Sequence, residues 1–394
     1  MSALIPANIV HSRLRKQRGA ALMVMLVILI LGVAALLLNS LSSSSLRLER
    51  DKITTDALVQ AKEALIGRAV ADNNMPGSLP CPDTNDDGSP ESLSGNDCPS
   101  YIGRLPWKKL GLPDLRDGSG ERLWYALSAS FRDDNSARPL NSNTKGTLLV
   151  YRADGLSPQT EAGYNAVAVI FSPGSPRGSQ TRSTVTDKNN ASNYLDIANS
   201  QNNASATGPF IAGTQSATFN DQLLVITTRN LMPLVEQRVA AEVKQALSNY
   251  HTVNGCYPWA DSVAQATDYD SNVGLNRGWL PNNALPANWS GTFRPSQWFF
   301  DNEWYKLIYY SVAKNDTENP SSCTSCIDTT LRVDGISGVS AVFLMPGTPV
   351  STLTRSPTTL SDYLEDSENK DDSNDRYVTP TSQAGDRDRL YRLP

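Results

Sequence analysis

The acidic segment from Asp83 to Glu91 carries the side chains best suited to hold a metal ion. It reads DTNDDGSPE, so oxygen-bearing side chains fall at its first, third, fifth and ninth positions, which are Asp83, Asn85, Asp87 and Glu91. Gly88 stands at the sixth position, where a calcium loop makes its sharp turn, and calcium prefers oxygen ligands. The spacing predicts a shortened calcium loop that would rigidify the structure. The alternative is a plain turn rich in Asp, Asn and Gly.

Five cysteines form the second set of reactive side chains. Cys81 and Cys98 bracket the acidic segment, and a disulfide between them would stabilise the fold by about 3 kcal/mol. Farther along, Cys256 can pair with Cys323 or Cys326, or the last two can close on each other as a Cys-x-x-Cys pair. Because disulfides form in oxidising compartments, this usage indicates a body outside the cytoplasm.

Acid–base catalysis has few candidates in this chain. Histidine, the residue most often used for it, occurs only at His11 and His251, and no Gly-x-Ser-x-Gly motif is present. The net charge of −5 and the pI of about 5.2 lack the basic excess of a nucleic-acid-binding protein. We therefore expect a protein that is not an enzyme, does not bind nucleic acid and requires no cofactor, structural calcium aside.

The N-terminal region combines a basic leader with a long apolar run. Basic side chains cluster within residues 13–18, ahead of the first acidic residue, Glu49, and residues 20–38 read AALMVMLVILILGVAALLL without a charge. As a helix this run would be about 29 Å long, enough to cross the hydrocarbon core of a bilayer. The sequence predicts a transmembrane helix over 20–38, with a cytoplasmic leader at 1–19 and the remaining chain exported.

The helical pattern continues past the apolar run. Small and apolar side chains recur at steps of mostly three, four or seven residues between Leu46 and Ala69, which is the period of one helix face. No proline occurs between Pro6 and Pro76. One helix is therefore expected from about residue 20 to about residue 72, with residues 39–75 as the soluble continuation of the apolar run.

The junction between the leader and the apolar run resembles a type IV prepilin processing site. The resemblance is carried by RKQRG, which ends at Gly19, followed by AALMVMLVILILG from Ala20. It implies that prepilin peptidase cleaves between Gly19 and Ala20, and that Ala20 is then methylated. It also implies an inner-membrane protein with a periplasmic body, in contact with lipid, whose N-terminal helix later packs with other pilin or pseudopilin subunits.

One position departs from the pattern of that family. Most members carry a glutamate at the fifth mature residue, which here is Val24. In the family that carboxylate pairs with the N-terminal ammonium of a neighbouring subunit, and a subunit without it cannot make the pair. The chain is therefore most similar to the minor pilins and the tip pseudopilins, in which a hydrophobic residue takes this place.

The region after residue 64 repeats itself. Six short segments recur in the same order with an offset of roughly 165–185 residues. The pairs are ALIGRAVADNNMPGSLPCPD with ALSNYHTVNGCYPWAD, GRLPWKKLGLP with GWLPNNALP, GERLWYALSASF with DNEWYKLIYYSVA, AVAVIFSPGSP with AVFLMPGTP, SNYLD with SDYLE, and NDQLLVI with RDRLYRL. The preserved order indicates a tandem duplication. The expected fold class is α+β, a long N-terminal transmembrane helix continuing into a duplicated pilin-like head in which each copy packs a helix on an antiparallel sheet.

The repeat also predicts domains and elements. The first head is expected over 76–229, and the second helix and head over 230–394. Runs rich in Val, Ile, Leu and Tyr predict strands in the first copy at 122–128, 147–152, 166–172 and 222–227, and in the second at 304–312, 330–334, 339–345 and 390–393. An amphipathic pattern predicts the second helix over 232–252.

Two tryptophans lie in a segment that has no counterpart in the first copy. Trp289 and Trp298 are therefore candidates for a ligand-binding surface. The expected function is that of a non-enzymatic minor pilin or pseudopilin subunit, at or near the tip of a type IV pilus or of a type II secretion pseudopilus. Two alternatives stay open, a tip adhesin that binds carbohydrate or surface protein and a signal-anchored enzyme of the cell envelope.

Overall fold

The computed structural model describes residues 18–134, 138–263, 275–281, 294–313, 331–349, 354–356, 358–380 and 387–393. The chain divides into two compact units, Met1–Lys52 and Ile53–Pro394. The described helices are α1 (Arg18–Ala71), α2 (Val185–Asn189), α3 (Thr228–Asn254) and α4 (Gln297–Asp301). The described strands are β1 (Ile102–Arg104), β2 (Trp124–Leu127), β3 (Val150–Tyr151), β4 (Ala166–Ser172), β5 (Ile197–Ala198), β6 (Gln201–Asn202), β7 (Phe210–Ile211), β8 (Gln222–Thr227), β9 (Arg277–Trp279), β10 (Tyr309–Val312), β11 (Arg332–Val333), β12 (Ile336–Ser337), β13 (Ala341–Met345), β14 (Arg376–Tyr377) and β15 (Arg389–Leu393).

Helix α1 is 54 residues long and reaches from the first unit into the second. In the second unit it buries a stripe of small and apolar side chains that includes Ala57, Ala61, Leu65 and Ala69. These positions lie four residues apart and therefore fall on one face of the helix. The helix ends where the Asp72 carboxylate accepts hydrogen bonds from the backbone N–H groups of the next turn, at 2.9 and 2.8 Å.

The expected transmembrane helix over 20–38 is a prediction that the structure contradicts. In the described part of the chain, no helix combines the length and the apolar character that a membrane span requires. The α+β class led by a transmembrane helix is therefore wrong, and the described residues form a mixed α/β fold with several sheets.

Two four-stranded antiparallel sheets dominate the second unit. The first sheet has the order β1-β2-β4-β8, and the second has the order β9-β10-β13-β15. Within each of these sheets, neighbouring strands follow one another in chain order, and the short strands that come between them in the sequence belong to other sheets. Among these, β12-β11-β14 form a three-stranded sheet, and β3-β7 and β5-β6 form two pairs.

Strand pairing gives the register that relates the two large sheets. Gly103 lies opposite Tyr125 in the first sheet, as Gly278 lies opposite Tyr310 in the second. The match between Trp124 and Trp304 is wrong, because Trp304 belongs to a 3-10 turn and Tyr309 takes the strand position that corresponds to Trp124. The repeat likewise aligned Ala166 of β4 with Ala341 of β13, but the residue of β4 that corresponds to Ala341 is Ala168. Ala168 pairs with Leu127 in the first sheet, as Ala341 pairs with Val312 in the second.

Helix α3 is the second long helix. Its buried stripe holds Val235, Val239, Val243 and Leu247, as the amphipathic pattern predicts. The helix is longer than expected at both ends. It begins where the Asn230 side chain accepts a hydrogen bond from the Thr227 backbone N–H at 3.1 Å, and it ends before Gly255.

The first sheet is covered on both faces. Tyr125 and Ile170 face the larger core, which also contains the stripes of α1 and α3 and the side chains of the second sheet. Trp124 and Phe171 face a smaller core, in which the Phe171 ring lies 5.2 Å from that of Phe210. Because alternate residues of a strand point to opposite faces, β4 reads as an unbroken apolar run.

Candidate functional site

A polar cleft lies between segments that flank the two large sheets. Its volume is about 850 Å³, and its walls come from the turn after α1, from Asp134 and Arg138, from α3 and from α4 with the serine before it. Small-molecule sites in proteins typically enclose about 300–1,000 Å³. We call this feature the junction cleft and define it by Asn74, Arg238, Glu242, Trp298 and Asp301, which all line it.

Trp298 forms the aromatic part of the junction cleft. It lies on α4 beside Phe299 and is only 7% exposed, so little of its surface is open to the cleft that it lines, and its role in ligand binding stays a prediction. The guanidinium of Arg238 lies 5.1 Å from its ring centre. Arg238 is itself held because it donates to the backbone carbonyls of Val70 and Asp72. The other candidate, Trp289, lies outside the described residues.

Three carboxylates line the cleft, those of Asp134, Glu242 and Asp301. One oxygen of Glu242, Oε1, accepts hydrogen bonds from both the backbone N–H and the hydroxyl of Ser296. One oxygen of Asp301, Oδ1, accepts a bond of 2.7 Å from the Gln297 amide. On the opposite wall Asp134 pairs with Arg138 at 3.3 Å. These contacts hold the carboxylates in fixed orientations and involve only one oxygen of Glu242 and of Asp301.

Asn302 also lines the cleft, and its side chain joins three segments that lie far apart in the sequence. Its side-chain oxygen accepts a hydrogen bond from the Leu140 backbone N–H at 2.9 Å. Its side-chain nitrogen donates to the carbonyls of Trp298 and Asn74, at 2.8 and 3.1 Å. The residue is 1% exposed, so these bonds satisfy the polar atoms of its own buried side chain.

The acidic segment folds as a tight loop held by its own backbone. Asp83 accepts three backbone N–H bonds, from Asn85 and Asp86 at Oδ1 and from Gly88 at Oδ2, at 2.7–3.1 Å. Burial raises the pKa of Asp83, and these hydrogen bonds oppose the shift. Asp86, which the calcium pattern omits, pairs instead with Arg104 at 3.0 Å.

The other three predicted calcium ligands also accept hydrogen bonds within the loop. Asn85 and Asp87 each accept a backbone N–H bond from the residue two positions later, and Glu91 accepts from both the backbone and the hydroxyl of Thr84. In the described part of the chain, no group of three or more His, Cys, Asp or Glu side chains is placed to hold a metal ion. Calcium binding by this loop stays a prediction.

A disulfide joins Cys81 and Cys98, whose Cα atoms lie 5.5 Å apart. Both residues belong to the larger core, so the bridge closes the acidic segment onto the body of the protein. Cys256 is buried, and the two cysteines with which it was expected to pair, Cys323 and Cys326, lie outside the described residues.

Removing the disulfide tests how far it stabilises the fold. The double variant Cys81→Ala/Cys98→Ala is expected to lose about 3 kcal/mol of unfolding free energy, because the unfolded chain regains the freedom of a loop whose ends are 17 residues apart. Urea unfolding measures the loss, and we expect a larger m-value because the unfolded chain is less compact. An unchanged midpoint would show that the bridge does not constrain the unfolded state.

The processing residues Gly19 and Ala20 lie in the first turn of α1. The leader before Arg18 lies outside the described residues, as do the side chains of Ala20 and Val24. The predicted cleavage, the methylation and the role of Val24 therefore stay predictions.

A recurring arginine site was missed in the sequence. Arg182 donates to the carbonyls of Gly174 and Asn193, at 3.0 and 2.8 Å, and lies 4.1 Å from the Tyr194 ring. In the second copy Arg355 makes the same contacts with Gly347, Asp362 and Tyr363. The signal that could have found it is a seventh echo, Thr-Arg-Ser, which occurs at 181–183 and at 354–356.

Each copy also contains a reciprocal pair of carboxylates. Asp196 accepts from the backbone N–H of Asn220, while Asp221 accepts from the backbone N–H of Asp196, at 2.7 and 2.8 Å. In the second copy Glu365 accepts from the backbone N–H of Arg387, and Asp388 accepts from the backbone N–H of Glu365, at 3.0 and 2.7 Å. Burial raises the pKa of Asp221 well above its usual value, and the nearby Asp196 charge adds to the shift.

The raised pKa of Asp221 gives a pH dependence. Because the folded state holds this proton more tightly than the unfolded chain, the contribution to stability is full below the ordinary carboxyl pKa of about 4 and declines as pH rises toward the folded value. We expect Asp221→Asn, which mimics the protonated acid, to flatten the fall in stability from pH 4 to 7. The exposed control Asp56→Asn should leave it unchanged. Urea midpoints across this range provide the measurement, and equal slopes for Asp221→Asn and the parent would contradict the assignment.

Comparison with known proteins gives no relative for this chain. No family model matches it, and no curated protein or solved structure does so. Its function is therefore inferred from its own residues and their geometry.

Proposed function

We propose that this protein is a non-enzymatic minor pilin or pseudopilin, a subunit of a type IV pilus or of a type II secretion pseudopilus. Prepilin peptidase would release it from its leader between Gly19 and Ala20, and Ala20 would then be methylated. The observation that carries the proposal is α1, a helix of 54 residues that begins at the processing motif and displays large apolar side chains.

The exposed apolar side chains of α1 are suited to pack against the surface of a partner protein. Those described from Met25 to Ile30 are 52–74% exposed. Contiguous apolar exposure of this kind marks an interaction site, because water is ordered around it at a free-energy cost that burial removes. The partner that we propose is the equivalent helix of neighbouring pilin-like subunits in the filament.

Two further observations favour this role. The fold beyond Lys52 contains a disulfide between Cys81 and Cys98, which suits a body outside the cytoplasm. Val24 provides no carboxylate for the N-terminal ammonium of an adjacent subunit. A subunit of this kind fits the end of a filament better than its shaft, and we propose the tip as its position.

Processing by prepilin peptidase tests the proposal. The full chain is produced in cells with and without the peptidase, and the mature N-terminus is read by mass spectrometry. We expect N-methylalanine at Ala20 only when the peptidase is present. The variant Gly19→Leu should keep the leader, while the control Gly67→Leu, at an exposed glycine of the same helix, should be processed as the parent is. A chain that keeps its leader with the peptidase present would contradict the proposal and favour the signal-anchored enzyme.

A further inference from the structure

We propose that the junction cleft binds a short neutral saccharide. The proposal rests on the cleft alone and does not depend on filament assembly. A cavity of about 850 Å³ is large enough for a small ligand, and it opens between segments that the fold holds rigidly together.

The charge of the lining argues against a strongly charged ligand. Three carboxylates and two guanidiniums line the cleft, so neither sign dominates. Asp134 and Arg138 already pair with each other, and Arg238 is held by two backbone carbonyls. A ligand with a large charge of either sign would therefore be repelled by a group of the same sign close by.

The polar groups suit a ligand that carries many hydroxyls. Asn73, Asn74 and Gln297 offer amides, each of which is both a donor and an acceptor. Glu242 and Asp301 add carboxylates, and the hydrogen bonds that they accept from Ser296 and Gln297 go to one oxygen of each. Neighbouring hydroxyls of a sugar donate and accept at closely spaced points, and planar side chains with paired polar atoms match that spacing.

Trp298 supplies the apolar contact that such a ligand also needs. The C–H face of a sugar ring is apolar, and the small part of the indole that is open to the cleft can contact it, while the Arg238 guanidinium lies over the ring. The ring is held in place by Phe299 on α4 and by the Arg238 guanidinium at 5.1 Å, so it does not need to be ordered when a ligand binds. An apolar ligand fits less well, because polar side chains form most of the lining.

Calorimetric titration of the full chain tests the inference. The probes are cellotetraose, chitotetraose and maltotetraose, with tetra-alanine as a peptide of similar length. A detergent without a sugar headgroup keeps the exposed apolar side chains of α1 covered and does not compete. We expect at least one of the saccharides to bind and the peptide not to bind.

Variants then locate the binding site. Asp301→Ala changes an exposed side chain and should weaken binding roughly fivefold, the effect of one lost hydrogen bond. Trp298→Phe should weaken it further, and circular dichroism checks that the variant is folded. The exposed control Asp56→Ala, on α1 outside the cleft, should bind as the parent does. No binding of any saccharide at millimolar concentration would overturn the inference, as would full affinity in Asp301→Ala or preference for the peptide, and none of these results bears on cleavage after Gly19.

Discussion

Replacing Gly278 by alanine is expected to prevent the second sheet from forming. A Cβ atom at this position would lie 1.6 Å from the backbone carbonyl oxygen of Asp261, far inside van der Waals contact. The carbonyl cannot move away freely, because it accepts the Trp279 N–H bond of 2.8 Å that holds the two segments together. We expect a loss of more than about 4 kcal/mol, a large fraction of the stability of an ordinary domain.

The matched control for this prediction is Gly335→Ala. Gly335 also has a positive φ, of 78°, but no atom lies within 4 Å of the place its Cβ would take. Its replacement should cost about 1 kcal/mol, the price of a left-handed conformation alone. Urea unfolding followed by near-ultraviolet circular dichroism separates the two variants. Equal midpoints for both would contradict the close approach of the two backbones.

Replacing Asn302 by leucine is expected to destabilise the protein by roughly 4 kcal/mol. Leucine has nearly the same size but leaves the Leu140 N–H and the Asn74 carbonyl without their bonds from this side chain. The Leu140 N–H is buried, and a buried group that loses its partner costs about 1–3 kcal/mol; the lost bonds to the Trp298 and Asn74 carbonyls add to this. Because Asn302 joins segments next to both large sheets, the unfolding transition should also become less steep as the two sheets unfold more independently.

The control for Asn302→Leu is Asn73→Leu. Asn73 also lines the junction cleft, but its side chain is exposed. Its replacement should change the free energy of unfolding by no more than about 0.5 kcal/mol. If both variants unfold at the same urea concentration, the contacts of Asn302 do not stabilise the fold.

Strands bounded by clear turn residues were predictable from the sequence. The runs at 166–172 and 222–227 match β4 and β8 residue for residue, because apolar and β-branched residues dominate both, with Asn165 and Pro173 on either side of the first and Asp221 before the second. The stripe of α3 was equally legible, since its period persists over several turns. The local hydrophobic pattern was sufficient to predict an element when that element packs against a core along most of its length.

Short repeated segments gave a wrong strand alignment where the two copies differ in local structure. The Trp-Tyr pair at 304–305 resembles that at 124–125, yet it forms a 3-10 turn before β10 begins at Tyr309. The correct register depends on pairing between β9 and β10, in which Gly278 must face Tyr310. Pairing of this kind is a long-range property that no single segment encodes.

The arginine contacts and the junction cleft depend on the tertiary structure. Arg182 and Arg355 bind backbone carbonyls, which every residue carries, so the echoed segments alone do not show which carbonyls the arginines contact. Trp298 could be singled out by its place in an unmatched segment, but its position beside Arg238 requires α3 and α4 to be packed together. The hydrophobic pattern at 20–38 predicted a transmembrane helix, which the described residues do not support.

Photo-crosslinking from α1 tests the central claim, that this helix is the assembly surface of a filament subunit. A benzophenone amino acid replaces Ile28, which is 64% exposed, in cells that make prepilin peptidase. We predict crosslinks to the N-terminal helices of other pilin-like subunits, and their loss when Gly19→Leu blocks cleavage. The same probe at Leu156, which is 82% exposed in the second unit, should give no such crosslink. Crosslinks from Ile28 to no protein, or crosslinks that persist in Gly19→Leu, would contradict the account.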